Sequence, residues 1–210
     1  MKQISENEYF YIRCLQQIEG IGTSRVIQLI KAFDSAENVF SVSSGELVSL
    51  AGFNEILAGR IVRFTKTFSA IADKVKSDYE NMLQKGIQVY SFFSEGYPDI
   101  LRNIYLPPIL LYVDGFIDDS PAIGIVGTRT PTGYGKILAE RFSRELTLNN
   151  ITIVSGFARG IDSIAHKTAA SNGGKTIAVL GSGIDVIYPA ENKPLYEEIR
   201  ETGAVISEFD

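Results

Sequence analysis

From about residue 120 onward, short apolar segments alternate with helical segments, and few folds accommodate such an alternation. Strands and helices are predicted in turn, in the order 122–126, 134–149, 151–154, 161–171, 176–180, 193–202 and 204–207. Short, nearly continuous apolar strands joined by helices are typical of a parallel sheet buried under helices. The pattern therefore predicts an α/β fold with a Rossmann-like, doubly wound and mostly parallel sheet.

The chain before this alternation has a helical period. Residues 1–86 are predicted as a small all-helical domain, and residues 87–210 as the Rossmann-like domain, which begins with strands at 88–93 and 109–113. A single long helix is predicted from Glu55 to Lys85, with Gly86 as its C-terminal cap.

A glycine hairpin, Gly20-Ile21-Gly22, interrupts the helical domain, and a weaker copy follows at Gly52. Thr23 or Ser24 is predicted to cap the next helix. The pair resembles a helix-hairpin-helix unit, whose backbone N–H groups can bind DNA phosphates, and Arg25 is the nearby cation. A module that packs helices or contacts another protein remains an equal alternative.

Composition limits the class of protein. The net charge is −5 and the pI about 5.1, which argues against a surface coated with cations for indiscriminate binding to duplex DNA. The only cysteine, Cys14, is predicted to be a core residue. No apolar run is long enough to cross a membrane and no secretory signal is visible, so we expect a cytoplasmic protein.

Three predicted strands end in glycine-rich loops, at 127–135, 155–162 and 181–185. Ligands of open α/β sheets bind beyond the carboxyl ends of the strands. The first two loops each lead into a helix, whose N-terminus favours an anion, and each carries an arginine suited to phosphate, Arg129 and Arg159. The sequence therefore predicts phosphate sites at adjacent strand ends.

Two nucleotide-binding signatures are missing. No G-x-G-x-x-G pattern follows any of these strands. The Gly-Lys-Thr segment at 174–176 leads into a strand, whereas a Walker A loop leads out of one, and Ala169 stands where its first glycine should be. These departures argue against hydrolysis of ATP, and no cofactor is predicted.

Asp162 and His166 lie four residues apart, and so on one face of a helix. An acid–base pair is one interpretation. We favour a structural one, in which Asp162 caps the helix and His166 joins a local polar network, because no Ser or Cys nucleophile is evidently paired with the histidine. One histidine and one cysteine in different regions provide no metal site.

Several long motifs in a fixed order resemble the DprA/Smf family of DNA-processing proteins. The resemblance is dense over residues 90–210 and looser over the helical region before them. The matching segments are Ile125–Arg129, Tyr134–Gly135, Val154–Asp162, Ala165–His166, Gly174–Asp185, Tyr188–Pro189 and Ile206–Phe209, with Tyr97–Pro98, Leu101 and Pro108–Gly115 upstream.

The resemblance implies a Rossmann-like core preceded by a SAM-like helical domain, and a protein of natural transformation that is not an enzyme. Such proteins bind incoming single-stranded DNA, protect it and help to load the RecA recombinase onto it. Carried over to this chain, the DNA-binding positions are Gly127, Thr128, Arg129, Ser155, Gly156, Phe157, Arg159 and Gly160. Lys175 is a further candidate cation, and a solvated lysine at a turn is the equal alternative for it.

Binding of single-stranded DNA also needs aromatic side chains on which bases stack. Phe157 and Tyr134 are the candidates in the two loops, and packing of Phe157 in the core is the alternative for that residue. The family pattern normally continues past the segment that ends at Phe209, with a basic stretch and further strands. We therefore expect a truncated sheet, and we assign homodimer formation and RecA contact to a longer protein.

Two other functions stay open. A nucleotide-processing enzyme of the phosphoribohydrolase kind has a related fold and similar glycine-rich loops, but its P-G-G-x-G-T-x-x-E signature is absent here. A protein-interaction fragment centred on the helical N-terminus is the other.

Overall fold

A computed structural model describes residues 3–210 and contains two compact units. The first takes in the described residues up to Lys85 together with Val89–Leu110, and the second takes in Gly86–Gln88 with Leu111–Asp210. The domain boundary between residues 86 and 87 stays a prediction. The mixed α/β class is confirmed.

The first unit is mainly helical. Its amphipathic helices bury one apolar face each, as α2 does with Val26, Leu29 and Ile30. The elements are α1 (Glu6–Gln16), α2 (Thr23–Phe33), α3 (Ala36–Val39), α4 (Ser44–Val48), α5 (Glu55–Phe64), α6 (Phe68–Gln84), β1 (Gln88–Ser91) and α7 (Asp99–Arg102).

The single helix predicted over 55–85 is wrong, because a 3-10 turn at Thr65–Thr67 separates α5 from α6. Thr65 Oγ1 donates to the Val62 carbonyl at 2.9 Å, and Thr67 Oγ1 donates to the Phe64 carbonyl at 2.6 Å. Such hydroxyls compete for the carbonyls of the preceding turn and tend to bend a helix. The cap at Gly86 is confirmed by its φ of +79° directly after the helix end.

The two glycine hairpins of the first unit are linked by side chains of α2. Arg25 donates to the Gly20 carbonyl at 2.6 Å and, more weakly, to the Gly52 carbonyl at 3.5 Å. Gln28 adds a bond to the Ala51 carbonyl at 2.8 Å. The predicted cap by Thr23 or Ser24 is wrong, since α2 begins at Thr23 and Gly22 precedes it without a side-chain bond.

The second unit carries most of the sheet. Its strands are β2 (Leu110–Gly115), β3 (Ala122–Gly124), β4 (Thr152–Ser155), β5 (Thr176–Leu180) and β6 (Ala204–Ser207), and its helices are α8 (Gly133–Leu148), α9 (Ile161–Ser171) and α10 (Lys193–Thr202). Within this unit the strand order is β2-β6-β5-β4-β3. Strands β3 to β6 pair in parallel, and β2 pairs antiparallel with β6.

Because β3, β4, β5 and β6 follow one another across the sheet, right-handed crossovers place α8, α9 and α10 on one face. Accordingly, α9 packs against both of the other helices. Ile153 of β4 and Ala165 and Ala169 of α9 form a fully buried core there. The opposite face is partly open, with Val179 of β5 40% exposed and all of β3 at the edge exposed.

A buried carboxylate fastens β2 to α10. The Tyr196 hydroxyl donates to Asp114 Oδ2 at 2.8 Å, and Arg200 Nε lies 3.3 Å from Asp114 Oδ1. Burial and the neighbouring carboxylate raise the pKa of Tyr196 well above its usual value. This network stabilises the antiparallel side of the sheet.

Candidate nucleic-acid interface

Two loops follow neighbouring parallel strands. Loop 1 comprises residues 125–132, after β3, and loop 2 comprises residues 156–160, after β4. Because β3 and β4 pair in parallel, both loops lie at the carboxyl edge of the sheet. A third loop, at 181–187 after β5, is fastened to β6 by the Ser207 hydroxyl, which donates to the Ser182 carbonyl at 2.6 Å.

Loops 1 and 2 touch through their backbones. The Ile161 N–H donates to the Thr128 carbonyl at 3.2 Å. Gly160 has a φ of +82°, and a Cβ there would lie 2.2 Å from the Thr128 oxygen. A Cβ on Gly127 would likewise lie 2.6 Å from Ile161 Cγ1. Only glycine permits this approach, so the structure brings Gly127, Thr128, Arg129 and Gly160 close together.

Loop 1 presents an open cation. The Arg129 side chain is exposed, and across residues 3–210 no protein group bonds to it or pairs with it. The adjacent N-terminus of α8 is capped by Thr132, whose Oγ1 accepts the Gly135 N–H at 3.1 Å. No atom lies within 4 Å of the place of a Cβ on Gly133. The helix dipole and the guanidinium therefore face open space that an anion can fill.

Loop 2 is built into the core. Phe157 is 0% exposed at a φ of +60°, and its ring lies 6.1 Å from the His166 ring and 6.3 Å from the Tyr196 ring. Core packing, the alternative given for Phe157, is therefore confirmed, and the buried ring is not available for base stacking. The Ser155 hydroxyl is also buried and donates to the Ile125 carbonyl at 2.5 Å.

The anion site predicted at the N-terminus of α9 is also wrong. The Ile161 N–H donates to Thr128, and the Ser163 N–H donates to the Ala158 carbonyl at 3.1 Å. The carboxylate of Asp162 lies in the same first turn, where Oδ2 accepts the Ala158 N–H at 3.4 Å. Protein groups thus occupy the first and third N–H groups of the helix, and the carboxyl group of Asp162 lies where an anion would have to bind. A Cβ on Gly156 would be 2.8 Å from that Oδ2.

Arg159 is exposed but already has an acidic partner. Its Nε lies 2.5 Å from Glu191 Oε1, and its Nη2 lies 3.2 Å from Glu191 Oε2. These hydrogen bonds raise the pKa of Arg159 and lower that of Glu191. Of the two arginines predicted from the loops, Arg129 is therefore unpaired within the described residues, whereas Arg159 is paired with Glu191.

Lys175 does not join the other predicted residues. It directly precedes β5, and therefore lies at the amino edge of the parallel strands, opposite loops 1 and 2. Its ammonium group is paired with the carboxylate of Asp118. The hydrogen bonds from Lys175 and Ser120 lower the pKa of Asp118 to about 2. The prediction that Lys175 belongs to the same DNA site is therefore wrong, because Lys175 lies at the opposite end of the parallel strands.

Comparison with known proteins identifies the family. The model of the DNA recombination-mediator protein A family matches residues 88–210. The chain belongs to this family. The DprA/Smf resemblance drawn from the loop motifs is thereby confirmed.

Curated relatives and a solved structure of this family also match the chain. Protein Smf of Synechocystis is 32% identical over 98% of this chain and 52% of its own length. DNA processing protein DprA of Streptococcus pneumoniae is 42% identical over 57% of the chain and 43% of its own length. The X-ray structure of the S. pneumoniae protein matches with a TM-score of 0.74 at 30% identity, over 99% of this chain and 69% of that one.

A structure of DNA processing protein A from Helicobacter pylori, which concerns its single-stranded DNA binding mode, matches with a TM-score of 0.51. The identity is 36%, over 56% of this chain and 54% of that one. The chain spans about half the length of the curated relatives it matches.

In this DprA/Smf chain, His166 has a structural role, as predicted. The helix cap predicted for Asp162 is wrong, because Gly160 is the N-cap of α9 and no side chain bonds there. His166 is 0% exposed, and its Nδ1 lies 2.6 Å from Thr176 Oγ1, which in turn donates to the Ile153 carbonyl at 2.8 Å. Burial lowers the pKa of His166 to about 4. Cys14 is buried as expected, and burial raises the pKa of its thiol to about 12.

Sequence reasoning missed three side chains at this edge of the DprA/Smf fold. Lys136 is exposed in the first turn of α8, beside the open N-terminus. Tyr188 is 64% exposed and lies near enough to Arg159 to contribute to the raised pKa of that arginine. Glu191 pairs with that arginine across 32 residues of sequence. Lys136 was detectable as a cation one turn after Thr132, whereas the other two needed the fold.

Within 3–210, no group of three or more His, Cys, Asp or Glu side chains is arranged to hold a metal ion. None of the helices described here is both long and apolar enough to span a membrane.

Proposed function

We propose that this chain binds single-stranded DNA at the carboxyl edge of its parallel strands, with Arg129 as the principal phosphate contact. The observation that carries the proposal is the exposed, unpaired guanidinium of Arg129 beside the open N-terminus of α8. Glycine backbone at Gly127 and Gly160 lets a strand approach closely, and Arg159 supplies a second cation.

Tyr134 is the aromatic partner in this proposal. It is 70% exposed at the start of α8, next to Gly133 and within five residues of Arg129. A base stacked on an exposed ring while a neighbouring arginine holds its phosphate is the common arrangement for single-stranded nucleic acid. The placement of a few cations also agrees with the net charge of −5, which excludes a broad basic surface.

The site acts by binding and not by catalysis, in our proposal. The acid–base candidates Asp162 and His166 are both buried, and the lowered pKa of His166 keeps it neutral near pH 7. In our proposal, this edge receives incoming single-stranded DNA in the cytoplasm during natural transformation. Protection of that DNA, formation of a homodimer and loading of the RecA recombinase belong to the same proposal.

The direct test is the affinity of the Arg129→Ala variant for fluorescent oligo-dT, measured by anisotropy. We expect a loss of roughly 10- to 100-fold, because a charge-assisted phosphate contact is removed. Arg144→Ala is the matched control, since Arg144 is another exposed arginine on the same unit, far along α8. It should change the affinity less than about twofold.

Equal losses in the two variants would contradict the site. A second measurement separates the enzyme alternative: incubation with nucleoside monophosphates and chromatography for released base. Turnover that disappears in Asp162→Asn or Glu208→Gln would replace the binding proposal with a phosphoribohydrolase-like activity. We expect no release of base.

A further inference from the structure

The turn before α10 contacts loop 2 twice. Residues Ala190–Asn192 form a 3-10 turn, and Glu191 on this turn reaches Arg159 with both of its carboxylate oxygens. The partners are far apart in sequence, so the pair exists only in the folded chain. It links the turn to the arginine that the loop motif offers to DNA.

The neighbour of Glu191 fixes the turn in place. Asn192 is 4% exposed, and its Nδ2 donates to the Phe157 carbonyl at 3.1 Å and to Ser163 Oγ at 2.9 Å. Ser163 Oγ donates in turn to the Ala158 carbonyl at 2.7 Å. Buried hydrogen bonds of this kind hold backbone position, so the Glu191 carboxylate stays within reach of Arg159.

The ion pair itself is at the surface. The side chains of Arg159 and Glu191 are 59% and 55% exposed, so water can replace either partner and the pair opens readily. A guanidinium fork that holds one carboxylate through Nε and Nη2 has those donors occupied. A phosphate that seeks the same donors must first displace Glu191.

We propose that Glu191 is an internal anion that competes with DNA phosphate for Arg159 and so weakens binding at loop 2. This inference rests on the proposed function. Loop 1 then makes the first contact, through its unpaired Arg129, and loop 2 engages only a strand that also displaces the carboxylate. Glu191 sets the affinity without touching the DNA.

The test is the affinity of Glu191→Gln for oligo-dT over a series of salt concentrations. Glutamine keeps the size and one hydrogen bond but removes the competing charge, so we expect roughly three- to tenfold tighter binding. The salt dependence should steepen as well, by about 0.7 in the slope of log K against log salt for one added phosphate contact on a single strand.

Glu145→Gln is the matched control. Glu145 is also 55% exposed and pairs with an arginine, at 2.8 Å from Arg141 Nε, but it lies near the far end of α8. The two variants change the net charge equally, so a general effect of charge would raise the affinity of both alike. We expect the gain only in Glu191→Gln.

A double variant tests whether Glu191 acts on DNA binding through Arg159. In an Arg159→Ala background the gain from Glu191→Gln should vanish, since nothing is left to release. A gain that persists there, or a gain no larger than that of Glu145→Gln, would overturn the competition. If the wild-type chain binds oligo-dT no better than Arg129→Ala does, the proposed function falls and this inference with it. If Arg129→Ala weakens binding but Glu191→Gln does not tighten it, only the competition by Glu191 is contradicted.

Discussion

Loop 1 and loop 2 follow neighbouring strands, and each carries glycines, one arginine and a junction with a helix, yet the protein uses them differently. In loop 1 the arginine is exposed and unpaired within the described residues, and the helix N-terminus is open. In loop 2 the aromatic residue lies in the core, the first N–H groups of the helix are bonded, and the arginine has an acidic partner.

The same sequence pattern therefore gives two different loop structures. Loop 2 is rigid because Phe157, Asn192 and His166 tie it to the core, and it holds the Thr128 carbonyl in place through Ile161. Loop 1 rests on that support and keeps its arginine side chain exposed and unpaired within the described residues. We infer that one loop mainly positions and the other mainly binds.

The largest effect should come from removing the ring that anchors loop 2. Phe157→Ala should lower the free energy of unfolding by about 3–5 kcal/mol, because a fully buried aromatic side chain leaves a cavity. Tyr134→Ala, at a ring 70% exposed, should cost no more than about 0.5 kcal/mol. Urea unfolding measures both. Equal costs would mean that the loops are anchored alike.

The histidine under loop 2 predicts a dependence on pH. The pKa of His166 is lowered to about 4 by burial, from about 6.5 in an unfolded chain. Between these values only the unfolded chain binds the proton, so stability is full above about pH 6.5 and falls by about 1.4 kcal/mol per pH unit towards pH 4, by about 3 kcal/mol in all.

Urea unfolding at several pH values between 7 and 4.5 checks this, with His166→Gln as the comparison. The variant lacks the proton-binding group, so its stability should decline less steeply over that window. Parallel curves for the two proteins would show that His166 is not responsible.

The fold was predictable further than the site was. Strand periodicity located β4, β5 and β6 within a residue or two, because buried parallel strands are short apolar runs with few alternatives. The break at Thr65–Thr67 was not visible, since its residues tolerate a helix and the hydroxyl bonds that bend the chain are local choices. Chain order likewise did not show that β6 pairs antiparallel with β2.

At the site, residue types were predictable but their partners were not. Glycines at 127 and 160 followed from the close approach that loop motifs imply. The pairing of Arg159 with Glu191 and that of Lys175 with Asp118 could not be predicted from neighbouring residues, because both pairs join residues far apart in sequence. The burial of Phe157 was undecided for the same reason, since a loop aromatic can point either way.

The contact between the loops offers the next test. Gly160→Ala places a side chain at a φ of +82° and 2.2 Å from the Thr128 oxygen. We expect a loss of about 1–3 kcal/mol in stability from the backbone strain alone. Oligo-dT binding should weaken too, because loop 1 must move. Gly133→Ala meets no atom within 4 Å and serves as the control for the unfolding measurement, and anisotropy compares the oligo-dT binding of Gly160→Ala with that of the wild type.

A smaller effect is expected from the paired arginine. Arg159→Ala should weaken oligo-dT binding only about two- to fivefold, less than Arg129→Ala, because the carboxylate already neutralises much of its charge. Anisotropy at one salt concentration compares the two. A larger loss in Arg159→Ala would reverse the assignment of the binding and positioning loops.

The smallest effect concerns the amino edge of the sheet. Lys175→Ala should leave oligo-dT affinity within about twofold of the wild type, because a partly exposed ion pair with Asp118 is all it removes. Parallel strands separate their two edges by their whole length, so a nucleotide held at Arg129 does not reach this lysine. A loss comparable to that of Arg129→Ala would mean that the DNA runs across the sheet from edge to edge. Loops 1 and 2 would then form only one end of a longer binding path.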